Sequence, residues 1–187
     1  DRVGLAYVRH YAQQARAVLG YRGRHVVFSA ARSLELFDLL LAEPLAPVAR
    51  IRRVVIAGVL TLRRSTAGPG LLLHTAHSGL EFDRFYEGLR RDGIGVVAMI
   101  HDLIPLTHPE YCRPGVLVKQ AERMTVALSK VRGIIANSED TARSIEVFAP
   151  RLGAALPPMA TALLAPGTAV CYAGERPLAK PYFVMLS

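Results

Sequence analysis

The sequence predicts an α/β fold, a Rossmann-like parallel sheet with helices on both faces. An apolar run, Val96–Ile100, lies between Gly95 and a turn at Pro105, which is typical of a strand buried on both faces. Segments with helical periodicity alternate with short apolar segments along the chain, as in a parallel sheet. The polar pair His101 and Asp102 directly follows the central strand, at the sheet edge where ligands of α/β proteins bind.

The chain opens with a predicted amphipathic helix. Its apolar positions recur at spacings of three and four residues, at Leu5, Val8, Ala12, Ala15 and Leu19, and Gly20 follows as a stop. A doubly wound domain normally begins with a strand. We therefore expect that the first strand is missing from this chain.

The next elements are a strand at residues 24–30, a helix at 33–42, a strand at 71–74 and a helix at 80–91. The last of these helices should bury Phe82, Phe85 and Leu89. The segment Arg50–Arg64 has a helical stripe, although its β-branched residues leave a strand open as an alternative.

After the central strand we expect a helix at residues 116–128, a strand at 131–136 and a helix that buries Ile145 and Phe148. Asn137 is the predicted N-cap of that helix, with Asp140 three residues on as in a capping box. A strand at residues 160–164 follows. The expected domains are residues 1–165, a linker at 166–180 and the first strand of a second domain at 181–187.

The amino-acid composition and net charge limit the classes of binding partner. The 187 residues include 23 Lys and Arg against 15 Asp and Glu, a net charge of +8, which favours nucleotide phosphates, lipid diphosphates or an anionic membrane surface. Nucleic acid is disfavoured because the basic residues are scattered and no recognition motif accompanies them. Cys112 and Cys171 lack metal-type spacing and suit a reducing cytosol.

The common nucleotide and hydrolase motifs do not occur. The chain has no Walker A, no G-x-G-x-x-G after a strand and no G-x-S-x-G. His74 and His77 have a ligand-like spacing, but a zinc site needs three or four ligands, and no further ones follow at characteristic spacing. The pair His101 and Asp102 could suggest a metal-dependent HD phosphohydrolase, which the strand composition before it argues against.

Three stretches in order resemble bacterial family 4 glycosyltransferases, the retaining enzymes of GT-B architecture. They are His101–Tyr111, similar to the family's HDLIPL..PE segment, Gly133–Thr141, similar to its strand-to-helix turn, and Asp1–Tyr7, similar to the end of its N-terminal motif. The resemblance implies the N-terminal, acceptor-side half of a GT-B fold. It also implies transfer of a sugar from a nucleotide-sugar to a glycan or lipid-linked acceptor in surface polysaccharide biosynthesis, without a metal or further cofactor.

The resemblance also suggests roles for residues at the strand ends. His101 would contact the donor sugar and phosphate, the alternative being a histidine satisfied by a backbone carbonyl. For Asp102 we favour a turn role over an acceptor-side role. Asn137 and Ser138 either cap a helix, which we favour, or contact the donor at its N-terminus.

His77, Ser78 and Glu81 would form an acceptor-side loop, and an ordinary surface loop remains the alternative. The family's C-terminal domain holds the donor nucleotide through a glutamate pair spaced E-x7-E. We therefore expect these 187 residues alone to be inactive.

Other interpretations stay open. The chain could be a non-catalytic binding or scaffold module of the same fold, or an unrelated nucleotide-binding α/β protein. The segment Arg50–Arg64, with arginines at both ends of an apolar centre, would suit an interfacial helix on an anionic membrane, although we favour a helix packed on the sheet. The resemblance implies a cytoplasmic location or the inner face of the cell membrane.

Overall fold

The computed structural model of the protein describes residues 2–42, 46–60, 68–76 and 79–164. Its strands are β1 (Val18–Tyr21), β2 (Arg24–Val27), β3 (Gly70–His74), β4 (Ile94–Ile100), β5 (Gly133–Ala136) and β6 (Met159–Thr161). Its helices are α1 (Arg2–Tyr11), α2 (Ala30–Leu41), α3 (Val48–Leu60), α4 (Asp83–Arg91), α5 (Ile104–Thr107), α6 (Val116–Lys130) and α7 (Glu139–Arg151), with a 3-10 turn at Pro109–Tyr111.

A parallel sheet forms the centre of the fold, in the strand order β3-β4-β5-β6. The central strand β4 aligns Val96 with Leu72 of β3 and Ala98 with Ile134 of β5. Each connection between neighbouring strands contains a helix, as parallel pairing requires. The predicted fold class, an α/β Rossmann-like parallel sheet flanked by helices, is confirmed.

Side chains from α4, α6 and α7 pack against one face of this sheet. The buried cluster includes Val96, Ala98 and Ile100 of β4, Leu89 of α4, Met124 of α6 and Ile145 of α7. Because successive residues of a strand point to opposite faces, these three helices share one face. On the opposite face, exposure ranges from 3% at Met99 to 64% at Leu71.

The N-terminal segment differs from the prediction. The helix α1 ends at Tyr11 rather than continuing to Leu19, because Val18–Tyr21 pairs with Arg24–Val27 as an antiparallel hairpin. Arg22 and Gly23 form the two-residue turn, and both have positive φ, as the hairpin turns that match strand twist require. The strand expected at residues 24–30 therefore ends at Val27 and lies in a separate two-stranded sheet.

A second buried cluster joins the hairpin to α2 and α3. It contains Phe28, Leu36, Leu39, Ala46 and Val54. The segment that left helix and strand open is helical over Val48–Leu60, and its residues 61–64 lie outside the described part of the chain. The hairpin contacts α4, where His25 Nε2 and Asp92 Oδ2 are 2.7 Å apart. This contact connects the N-terminal elements to the helical layer on the sheet.

The remaining predicted elements are present with shifted ends, and one burial prediction is wrong. Phe82 precedes the first residue of α4 and is 42% exposed, whereas Phe85 and Leu89 are buried as expected.

The expected linker at residues 166–180 and the strand at 181–187 lie outside the described residues. None of the described helices combines the length and apolar composition that crossing a bilayer requires.

Candidate functional site

Polar residues collect at the carboxyl edge of the parallel sheet. His101 and Asp102 follow β4, Thr75 follows β3, and Asn137 and Ser138 follow β5. Since the three strands are parallel neighbours, their loops leave the sheet on the same side. The sequence therefore located this edge correctly, and the side-chain contacts show how each residue is held.

The His101 ring is fixed by a backbone group of the neighbouring strand end. Its Nε2 lies 2.9 Å from the carbonyl oxygen of Thr75, in a partly buried position. A carbonyl oxygen only accepts hydrogen bonds, so Nε2 carries the proton and donates a hydrogen bond to the Thr75 carbonyl oxygen. The carbonyl contact that the sequence left as the alternative role is thus present, and it also sets the direction of the imidazole.

Asp102 makes a turn contact. Its Oδ1 accepts a hydrogen bond of 3.1 Å from the backbone N–H of Ile104, the first residue of the short helix α5. Asp102 is partly buried, and its carbonyl oxygen lies 3.5 Å from Nε2 of Gln120 in α6. The favoured turn role accounts for this carboxylate.

The N-cap of α7 is Ser138, which corrects the prediction of Asn137. Ser138 has extended backbone angles, and its Oγ accepts a hydrogen bond of 3.1 Å from the backbone N–H of Thr141. An N-cap hydroxyl accepts from the N–H two or three residues further on, and Ser138 and Thr141 have the three-residue spacing. Asp140 does not complete a capping box with Asn137, because the Asn137 N–H donates to the Ile100 carbonyl oxygen at 3.3 Å.

Thr141 is a buried hub that the sequence did not identify. Its Oγ1 lies 3.1 Å from the carbonyl oxygen of His101, 3.0 Å from Oδ1 of Asn137 and 3.0 Å from Oγ of Ser138. The hydroxyl has one proton to donate and can accept from Ser138 at the same time. Thr141 thereby couples the ends of β4 and β5, and its position three residues after a cap serine is the signal that could have revealed it.

Glu81 lies two residues before α4 and contacts both Gly79 and α6. Its Oε2 accepts a hydrogen bond of 3.1 Å from the backbone N–H of Gly79, and Nε of Arg123 in α6 lies 3.4 Å from the same oxygen. His77 and Ser78, the other expected members of the acceptor-side loop, lie outside the described residues. The contacts of Glu81 connect the backbone at Gly79 to α6.

Two buried polar atoms, one in β3 and one in α4, lie within the electrostatic influence of Glu81. Nδ1 of His74 and the hydroxyl of Tyr86 have no hydrogen-bond partner within the described part of the chain. Burial lowers the pKa of His74 below its ordinary value of 6.5 and outweighs the backbone groups of His74 and Ala76 and the charge of Glu81, which act in the opposite direction. Burial, with a smaller contribution from Glu81, raises the pKa of Tyr86. Both side chains are therefore neutral at pH 7.

The residues that the structure describes contain no group of three or more His, Cys, Asp or Glu side chains able to hold a metal ion. Cys112 is a free, partly buried thiol, and Cys171 lies outside the described ranges. The side chains at the carboxyl edge comprise an imidazole, hydroxyls, an amide and the Asp102 carboxylate, beside backbone groups. These groups can hydrogen-bond a polar ligand.

The chain was compared with protein-family models, with curated proteins and with solved structures, and none of the three comparisons gave a match.

Proposed function

We propose that the protein is the N-terminal, acceptor-side domain of a retaining glycosyltransferase. It would transfer a sugar from a nucleotide-sugar to a glycan or lipid-linked acceptor in surface polysaccharide biosynthesis, at the cytoplasmic face of the membrane. The observation that carries the proposal is the position of His101, at the carboxyl end of the central parallel strand and within the segment that resembles the family motif. Its ring is held at that edge by Thr75.

The charges near α7 refine the part of the donor that this edge would contact. Glu139 and Asp140 put two carboxylates in the first turn of α7, next to Asn137 and Ser138. These carboxylates oppose the attraction of a helix N-terminus for phosphate. In this proposal Asn137 and Ser138 contact hydroxyl groups of the sugar. The second domain that the family resemblance implies would bind the diphosphate.

In this proposal the chain contributes orientation and exclusion of water. A bond forms between the acceptor oxygen and the anomeric carbon while the bond from that carbon to the diphosphate breaks, and the acceptor proton moves to the departing diphosphate. His101 would hydrogen-bond the transferring sugar, and Thr141 would keep the ends of β4 and β5 in register. Fixing reactants in this way lowers the barrier without a protein base.

The test uses the full-length protein, a panel of uridine, guanosine and thymidine diphosphate sugars, and glycan and polyprenyl-diphosphate acceptors. We expect transfer from one donor, with the anomeric configuration of the product retained in its NMR spectrum. Turnover of none of the donors, or a product of inverted configuration, would contradict the proposal.

A non-catalytic module of the same fold is the second candidate, and a specific observation favours it. His101, Asp102 and Ser138 each have a structural partner, in the backbone groups of Thr75, Ile104 and Thr141. A scaffold needs only these contacts. Binding of a nucleotide-sugar or acceptor by the full-length protein without turnover would support this candidate over the enzyme.

A further inference from the structure

The outer surface of α3 mixes exposed aliphatic side chains with arginines. Val54 and Gly58 face inward, and Gly58 lies so close to Phe28 that an added Cβ would be 2.9 Å from the ring. The opposite side carries Ile56, which is 53% exposed, and Leu60, which is 80% exposed. An amphipathic helix normally keeps such residues on its buried side. Helix α3 instead carries apolar residues on both its buried and its exposed side.

The charge around this face has one sign. Residues 44–80 contain five arginines and no aspartate or glutamate. Arg52 and Arg53 are exposed on the outer face, and neither is within 4 Å of a carboxylate in the part of the chain that the structure describes. The arginines are therefore available to anions in solution.

The aliphatic and basic groups meet in a shallow groove of about 450 Å³. It is lined by Ala49, Arg52, Arg53, Ile56, Ala57 and Leu60. An arginine can lay its methylene stem along apolar surface while its guanidinium stays at the polar boundary. The groove thus presents apolar surface and positive charge at the same depth.

We propose that this outer face of α3 binds the surface of an anionic lipid bilayer. Ile56 and Leu60 would enter the boundary between headgroups and acyl chains, and Arg52 and Arg53 would contact the phosphates. A second copy of the chain fits poorly, because pairing two such faces would bring arginines against arginines. Nucleic acid fits poorly as well, since it would leave the two aliphatic side chains exposed.

The inference does not depend on the proposed sugar transfer. The inner side of α3 packs against α2 and Phe28 rather than on the parallel sheet, which corrects the interpretation favoured from sequence, and the outer side remains exposed.

The experiment is co-sedimentation of the full-length protein with vesicles of phosphatidylcholine, alone or mixed equally with phosphatidylglycerol. We expect binding to the mixed vesicles only, and weaker binding as salt is raised. Arg52→Gln/Arg53→Gln should lower the partition coefficient about 25-fold, because each basic residue near an anionic surface contributes about fivefold. Ile56→Gln/Leu60→Gln should lower it at least about 10-fold through lost apolar burial.

The matched control is Arg90→Gln/Arg91→Gln, which removes the same charge from exposed residues in the last turn of α4. It should bind like the wild type. Equal losses for both arginine pairs would overturn the proposal, since attraction would then depend on net charge alone. Wild-type binding by the Ile56→Gln/Leu60→Gln variant, or equal binding to both vesicle types, would overturn it too. Circular dichroism of each variant confirms that α3 is retained.

Discussion

Nε2 of His101 donates a hydrogen bond of 2.9 Å to the carbonyl oxygen of Thr75. The bond joins the carboxyl ends of β4 and β3, two neighbouring parallel strands. On the other side of β4, the carbonyl oxygen of His101 accepts from the hydroxyl of Thr141. His101 therefore connects the end of β4 to the end of β3 and to Thr141 in α7, which in turn contacts Asn137 after β5.

Thr141→Val should destabilise the fold. Valine keeps the shape of the side chain but removes the hydroxyl that Ser138, Asn137 and the His101 carbonyl share in a buried position. Leaving buried polar groups without a partner costs about 1–3 kcal/mol in the free energy of unfolding. Urea denaturation followed by circular dichroism measures the change.

The control for that variant is Thr125→Val. Thr125 also lies in a helix, and its hydroxyl donates a hydrogen bond to the Ala121 carbonyl oxygen in an exposed position. Its free energy of unfolding should stay within about 0.5 kcal/mol of the wild type. Equal changes at the two positions would show that Thr141 is not a hub.

Ser33→Ala should also destabilise the fold, through the N-terminal unit. The Ser33 hydroxyl is fully buried, accepts a hydrogen bond of 2.9 Å from the Ala17 N–H and donates one of 2.8 Å to the Ser29 carbonyl. The variant leaves the Ala17 N–H without a partner, at a cost of about 1–3 kcal/mol. In Ser129→Ala the lost bond is exposed, so urea denaturation should detect little change. A larger loss for Ser129→Ala would refute this explanation.

His74 should make stability depend on pH. Because burial lowers the pKa of His74 in the fold, the unfolded chain binds more protons below pH 6.5. The free energy of unfolding should therefore fall as the pH falls through 6.5 towards the lower pKa of the folded state. The contribution of His74 is constant above that window.

The measurement for His74 compares urea denaturation at about pH 7.5 and pH 5.5 in the wild type and in His74→Gln. The variant should lose less stability between the two pH values, because its side chain does not titrate. An unchanged dependence in His74→Gln would mean that this residue is not protonated on unfolding.

The sequence predicted the parallel sheet because its strands carry strong signals. The apolar run of β4 has no helical period, and the helix of residues 83–91 has a clear apolar stripe. The N-terminal hairpin was missed because Ala12, Ala15 and Leu19 happen to continue the spacing of α1. Its turn depends on Arg22 with positive φ, which a non-glycine residue rarely adopts.

The edge of the site was predictable from sequence, but its contacts were not. Strand ends follow from the apolar runs, so the position of His101 was correct. The one-residue shift of the cap from Asn137 to Ser138 depends on backbone angles that composition does not encode. The bonds from Thr141 to His101 and from His101 to Thr75 join residues far apart in sequence, and no spacing rule reaches across the sheet.

The central claim is that the imidazole of His101 contacts the ligand at the carboxyl edge. The most direct test is the kcat/KM for sugar transfer by full-length His101→Ala, beside His10→Ala on α1 as a control. We expect about a 100-fold decrease for His101→Ala, as for loss of one oriented hydrogen-bonding group, with the fold retained by circular dichroism and little change in the control. Wild-type kinetics in His101→Ala would contradict the account.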